Sequence, residues 1–356
     1  VKFKNLGVKK NPRRTEMIKQ KYISLVLIVL LVFSVSAFAG SEARIGTAGA
    51  QELLIPVGAR GIGLNGANIA DIYGVEAMYW NPAGLAGSQN TEAMFSYMNW
   101  IADINVSYLA VGTRLGRLGS LGLSVKSLGV GDIPVTTTDL PDGTGETYSP
   151  QFIVLGATYS KMMTDRINFG FTFKIIHESI TQMSASGICF DFGVQYRNIL
   201  PGVNFGVTLK SLGPNMKYSG INVEEYVTIP GSEPGSKARP AQLVLADFDL
   251  PVTFEIGLGY RYNIAEEHAV NVYGDFQNFN FGNDEYKGGI EYGYKDFFFL
   301  RGGYLGTQHN TDNIFGPTLG AGVNANFGVS QIGFDYTYRS VDYFDANQFF
   351  SLHLSF

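Results

Sequence analysis

The stretch VTFEIGLGYRYN, residues 252–263, sorts its side chains into two sets with a repeat of two. Val252, Phe254, Ile256, Leu258, Tyr260 and Tyr262 share one face, and Thr253, Glu255, Gly257, Gly259 and Arg261 share the other. That is the period of a β-strand, whose successive side chains point to opposite sides. Alternation alone does not name the solvent, because a soluble sandwich alternates too. Length and aromatic placement favour lipid. A tilted strand needs about 9–11 residues to cross a bilayer, whereas soluble strands average about five or six. Tyrosine and phenylalanine gather toward the segment ends, as in the aromatic girdles of membrane barrels.

The same pattern recurs outward from this stretch. Ile188, Phe190, Phe192, Val194 and Tyr196 oppose Cys189, Asp191, Gly193, Gln195 and Arg197. Val203, Phe205, Val207 and Leu209 oppose Asn204, Gly206, Thr208 and Lys210, and Ile332, Phe334, Tyr336 and Tyr338 oppose Gly333, Asp335, Thr337 and Arg339. Fourteen such segments can be read: 91–100, 103–115, 118–130, 150–162, 165–179, 187–197, 203–212, 252–263, 267–278, 284–294, 297–306, 314–325, 328–340 and 347–356. Connections after even-numbered segments are short; the longest, 131–149 and 213–251, follow odd-numbered ones, as do the mostly polar 180–186, 307–313 and 341–346. Bacterial outer-membrane barrels have an even strand count, short periplasmic turns and long outside loops. The expected fold is therefore all-β membrane, a 14-stranded antiparallel barrel over 91–356 with the long loops outside the cell. Lys174, Asp191, Arg197, Lys210, Glu255, Arg261, Glu291, Asp335 and Arg339 then face the lumen. The last strand exposes Phe350, Leu352, Leu354 and Phe356 on one face. A final strand ending in phenylalanine resembles the assembly signal of outer-membrane barrels.

Composition agrees once the chain is divided. Of 356 residues, 44 are glycine and 16 % are charged, against averages of roughly 7 % and 25 %. Residues 1–39 carry eight Lys or Arg and one acid, leaving 18 basic and 30 acidic residues downstream, a formal charge of -12. That acidity argues against nucleic-acid binding. The single cysteine excludes a disulfide framework or a thiolate-clustered metal site. Ile23 to Ala39 is an apolar run behind Lys19 and Lys21, ending Ala37-Phe38-Ala39, which is the plan of a signal peptide cut after Ala39. Residues 1–39 thus read as an upstream extension and a leader, and the lipid of the cell outer membrane is the expected surround.

Residues 41–87 do not alternate. Gly61, Gly63 and Gly66 satisfy G-x-G-x-x-G, but Pro56 and Gly58 break the segment before them and no βαβ unit follows, so the context of a dinucleotide site is missing. Close backbone packing inside a narrow lumen accounts for these glycines better. Ala59-Arg60, the Gly61 to Gly66 cluster, Ala67-Asn68-Ile69-Ala70 and Tyr79-Trp80-Asn81-Pro82-Ala83-Gly84-Leu85 together resemble the opening of the PorV/PorQ family. That family is similar to the FadL long-chain fatty-acid transporters, 14-stranded barrels whose N-terminal segment folds inward as a hatch. The resemblance implies a hatch over 40–90, with Arg60, Gly61, Gly63, Gly66, Asn81, Pro82 and Ala83 as its motif.

The resemblance implies two jobs. PorV-type members are protein-binding components of type IX secretion, which would make a large translocon and exported cargo the partners, met by loops 131–149 and 213–251. FadL relatives pass hydrophobic small molecules through a lateral opening. Secretion members usually carry Asp-Ala-Arg and Asn-Pro-Ala-Lys where this chain has Gly58-Ala59-Arg60 and Asn81-Pro82-Ala83-Gly84, and both jobs stay open. Surface export is the preferred expectation and hydrophobic transport the alternative. No enzyme signature emerges. His177, His268, His309 and His353 are scattered, with no H-E-x-x-H and no G-x-S-x-G. Asp132, Asp139, Asp142 and Glu146 lack EF-type spacing. No catalytic residue, cofactor or metal is expected.

Overall fold

The computed structural model describes residues 44–356 apart from 103, 222–223, 228–230, 232–236, 238 and 308–312. The leader and its cleavage after Ala39 lie outside the described residues.

The wall consists of β1 (Glu92–Asn99), β2 (Asn105–Arg114), β3 (Ser120–Gly129), β4 (Gln151–Met162), β5 (Ile167–Ile180), β6 (Met183–Leu200) and β7 (Val203–Leu212). It continues through β8 (Thr253–Ala265), β9 (His268–Phe279), β10 (Glu285–Tyr294), β11 (Phe298–Thr307), β12 (Phe315–Phe327), β13 (Ser330–Val341) and β14 (Asn347–Ser355). Every strand pairs antiparallel with its chain neighbours, and β1 pairs with β14 from Glu92↔Ser355 to Asn99↔Gln348. The sheet is a closed 14-stranded barrel, which removes the exposed edges that an open sheet must protect.

Burial runs opposite to that of a water-soluble sheet. In β8, Thr253 and Glu255 are buried, while Phe254 is 38 % and Tyr260 46 % exposed. In β14, Ser351 is buried, whereas Phe350, Leu352 and Leu354 face outward. An apolar exterior around a polar interior is the arrangement that a bilayer stabilises. Phe356 lies just past β14, its backbone bonded both ways to Thr91 at 2.9 and 3.1 Å.

One connection differs from expectation. Residues 180–186 are not a loop: β5 runs to Ile180, β6 begins at Met183, and a two-residue turn joins them, with Thr181 at φ 54°. His177 and Ser186 bond each other at 3.0 Å on one face of this hairpin and Glu178 is buried on the other, so polar residues occupy both faces and the period that marks the other strands is blurred. Arg261 also departs from expectation. It lies near the short-turn end, exposed, 3.8 Å from Asp296 rather than enclosed in the lumen.

The segment before β1 fills the barrel. It bridges the 213–252 connection through Ala48 and Asp249, forms helices α1 (Ala59–Gly63) and α2 (Ala77–Trp80), then a 3-10 turn over Pro82–Gly87, and leaves at the short-turn end. Val57, Ile62, Ile72, Met78, Tyr79, Trp80 and Leu85 form a core with Met94, Met98, Val106, Tyr108 and Phe349 of the wall. This core lies inside the lumen, packed against β1, β2 and β14.

Candidate lumenal site

Two features of the chain hold the plug in register. Asn81 is extended at φ -149°, as the residue before a proline is biased to be. Its Oδ1 accepts from the Ala83 N–H at 3.2 Å, and its Nδ2 donates to the carbonyls of Ile69 at 2.9 Å and Val194 at 3.2 Å. One fully buried amide thus ties the turn, the plug backbone and the wall together. Arg60 reaches across the lumen to Glu291, with Nε at 3.2 Å from Oε2. Glu291 also pairs with Arg301 at 2.6 Å, and Arg301 pairs with Asp335, so the plug charge is embedded in a wall network. Gly61 and Gly66 leave room for the Trp80 indole, and Gly63 packs against Thr337 and Arg301. Gly66 also has φ +78°, which suits glycine. The glycine cluster is a packing surface for the plug's own tryptophan.

Above the plug, in the loop half of the barrel, lies a cavity of about 500 Å³. The plug contributes Leu53, Ile55, Ile62, Tyr79 and Trp80; the wall and connections contribute Trp100, Phe279, Phe281, Leu305 and Phe315. Polar groups converge on it as well: Lys174, Lys210, Lys287, Glu285 and Arg339. Lys174 pairs with Asp191 at 2.5 Å and Lys210 with Glu255 at 2.6 Å. Lys287 lies 3.7–3.9 Å from Glu255, Asp275 and Glu285. The Arg339 guanidinium stacks on Phe315 at 4.1 Å and Trp100 at 4.8 Å. At the cavity's margin, burial first and the Glu178 carboxylate second push Glu52 up to about 7. A concave chamber that joins aromatic and aliphatic walls to convergent polar groups is the form of a small-molecule site.

The wall beside this chamber is interrupted. β11 and β12 pair only from Phe298↔Val323 to Gly303↔Thr318, although β11 continues to Thr307 and β12 starts at Phe315. Pro317 has no N–H to give the ladder, and the β12–β13 register shifts between Phe315 and Thr318. Asn313 partly bridges the seam, donating to the Leu305 carbonyl at 3.3 Å. Leu305 and Phe315 flank this seam and line the chamber.

Sequence reading had assigned Lys174, Lys210 and Arg339 inward but missed Trp100, Phe281, Glu285 and Lys287. Glu285 and Lys287 share the odd-numbered parity of Glu291 on β10, so extending the period would have found them. Trp100 and Phe281 sit in connections, where no period applies. Among the described residues, no group of three or more His, Cys, Asp or Glu is placed to hold a metal ion.

No family model matches the sequence, and no curated protein matches it. Solved structures do share its fold. A Pseudomonas aeruginosa FadL homologue is similar at TM-score 0.52 and 11 % identity, covering 85 % of this chain and 98 % of its own. The Pseudomonas putida toluene transporter TodX is similar at TM-score 0.51 and 12 % identity, covering 82 % and 96 %. The CymD monoaromatic hydrocarbon channel is similar at TM-score 0.50 and 14 % identity, covering 85 % and 98 %. These neighbours are channels and transporters, and the chain shares with them the FadL-like fold of a 14-stranded outer-membrane barrel.

Proposed function

We propose that this protein passes hydrophobic small molecules across the outer membrane, holding them in the lumenal chamber and exchanging them with the lipid through the β11–β12 seam. The observation that carries this reading is the chamber itself. Aromatic and aliphatic side chains of plug and wall line it beside fixed polar groups, and its lining reaches the interrupted ladder at Leu305 and Phe315. The neighbours named for hydrocarbon and toluene transport support the same reading. They do not support the PorV/PorQ expectation of a secretion translocon and exported cargo.

Both tryptophans of the chain, Trp80 and Trp100, line the chamber. Intrinsic emission of the protein in lipid nanodiscs should therefore shift on titration with toluene, and cells producing it should take up toluene faster than cells with an empty vector. Unchanged emission and uptake, together with co-purification of a very large secretion barrel from native membranes, would overturn the proposal in favour of surface export.

A further inference from the structure

Asn65 differs from other amides of the chamber. Those of Gln51, Gln277 and Asn313 are engaged, with the Ala48 carbonyl, with Lys287, and with the Leu305 carbonyl and Phe315 N–H. Asn65 lines the same chamber from the plug and is 6 % exposed, yet its Nδ2 has no hydrogen-bond partner among the described residues. A buried donor left unmet is costly in a folded protein. The backbone explains only part of this choice. Asn65 closes α1, its N–H bonded to the Ile62 carbonyl at 2.8 Å, and it has φ 50°. Asparagine tolerates that left-handed conformation, but glycine adopts it more readily and would leave no donor enclosed.

The complementary group is a hydrogen-bond acceptor, and the surrounding charges favour a neutral one. The three chamber lysines and Arg339 are matched in number by Asp191, Glu255, Asp275 and Glu285, each within 4 Å of one of those lysines. An anion would add a charge to a set already balanced, whereas a carbonyl oxygen accepts the bond without one. Ile62, Trp80 and Leu305 line the chamber together with Asn65, so an apolar body suits the rest of the molecule.

We infer that Asn65 is a specificity-determining residue that donates to the oxygen of a neutral carbonyl compound, so that the chamber prefers apolar ketones to hydrocarbons of the same shape. This rests on the transport reading above and narrows its substrate class. Asn65 lies two residues beyond the end of α1, the helix that carries Arg60. The contact therefore holds the oxygen of the cargo on the plug rather than on the wall.

The test compares isosteric pairs in nanodiscs by tryptophan emission, with ligand concentrations taken in the lipid phase: 4-phenyl-2-butanone against 3-methylbutylbenzene, and 2-nonanone against 2-methylnonane. Wild type should bind the ketone of at least one pair about tenfold more tightly than its hydrocarbon. Asn65→Gly, which keeps the φ that the turn requires, should bring the ratio close to one. Asn65→Asp, which replaces the donor by an acceptor, should turn the ratio against the ketone. Heat-modifiable gel migration establishes that each variant has folded. A ketone preference absent from wild type in both pairs, or retained in either variant, overturns the assignment while hydrocarbon binding leaves hydrophobic transport standing. Tighter binding of nonanoate than of 2-nonanone at pH 8 overturns the neutral class. If neither ketones nor hydrocarbons bind wild type, both readings fall together.

Discussion

Gly170 shows how little space separates plug from wall. A Cβ built there would collide with the backbone of Pro82 and Ala83 rather than with any movable side chain. Gly170→Ala should therefore destabilise the plugged state by about 1–3 kcal/mol, the usual cost of overpacking. Gly274→Ala is the matched control, since nothing lies within 4 Å of its Cβ. We expect faster protease cleavage of the plug in the first variant alone, with the barrel of both still heat-modifiable. Equal cleavage would mean that the Pro82 turn yields more readily than its contacts indicate. Asn-Pro-Ala was visible in the sequence, but its tie to Val194 was not, because the partner is a carbonyl more than a hundred residues away.

At the scale of elements, the first turn of the plug carries a proton-dependent contact. Glu52 sits in the Gln51–Leu53 turn, and Lys126 donates to its backbone carbonyl at 2.6 Å rather than to its carboxylate. Burial raises its carboxyl from 4.5 to about 7, so the folded turn favours the protonated form. Its contribution is complete below about 4.5 and is lost as pH rises through about 7. Cleavage within residues 44–57 should then be slower at pH 5 than at pH 8, and Glu52→Gln should abolish the difference. A difference that survives the substitution assigns the effect to another group. Strands were the most legible elements, because lipid outside and charge inside enforce a strict period of two. The exceptions follow from the same physics. In the hairpin around Thr181 polar residues occupy both faces, and in the connections carrying Trp100 and Phe281 no period exists. The plug's glycine and alanine marked it as different, yet its path depends on contacts with seven or more strands that no local pattern encodes.

The whole molecule is a wall with its own contents. Arg60 binds the two together through Glu291 to Arg301 and Asp335, while Lys210, Glu255 and Lys287 form a second cluster within the wall. Planar-bilayer recordings should show little ion current through the wild type. Deleting residues 44–87 should produce large steps, provided the shortened chain still migrates as a heat-modifiable barrel. Large steps from the wild type would show that the plug does not seal the lumen.

The pairing of β1 with β14 also has a meaning in time. Ser96 and Ser351 face each other across that pairing, 3.1 Å apart through their hydroxyls, and they accept the Gly58 and Ala59 N–H groups that begin α1. The capping site of α1 is therefore split between the first strand and the last, and it exists only once the two meet. β14 thus both closes the wall against β1 and completes the hydroxyl pair that fixes the plug in place.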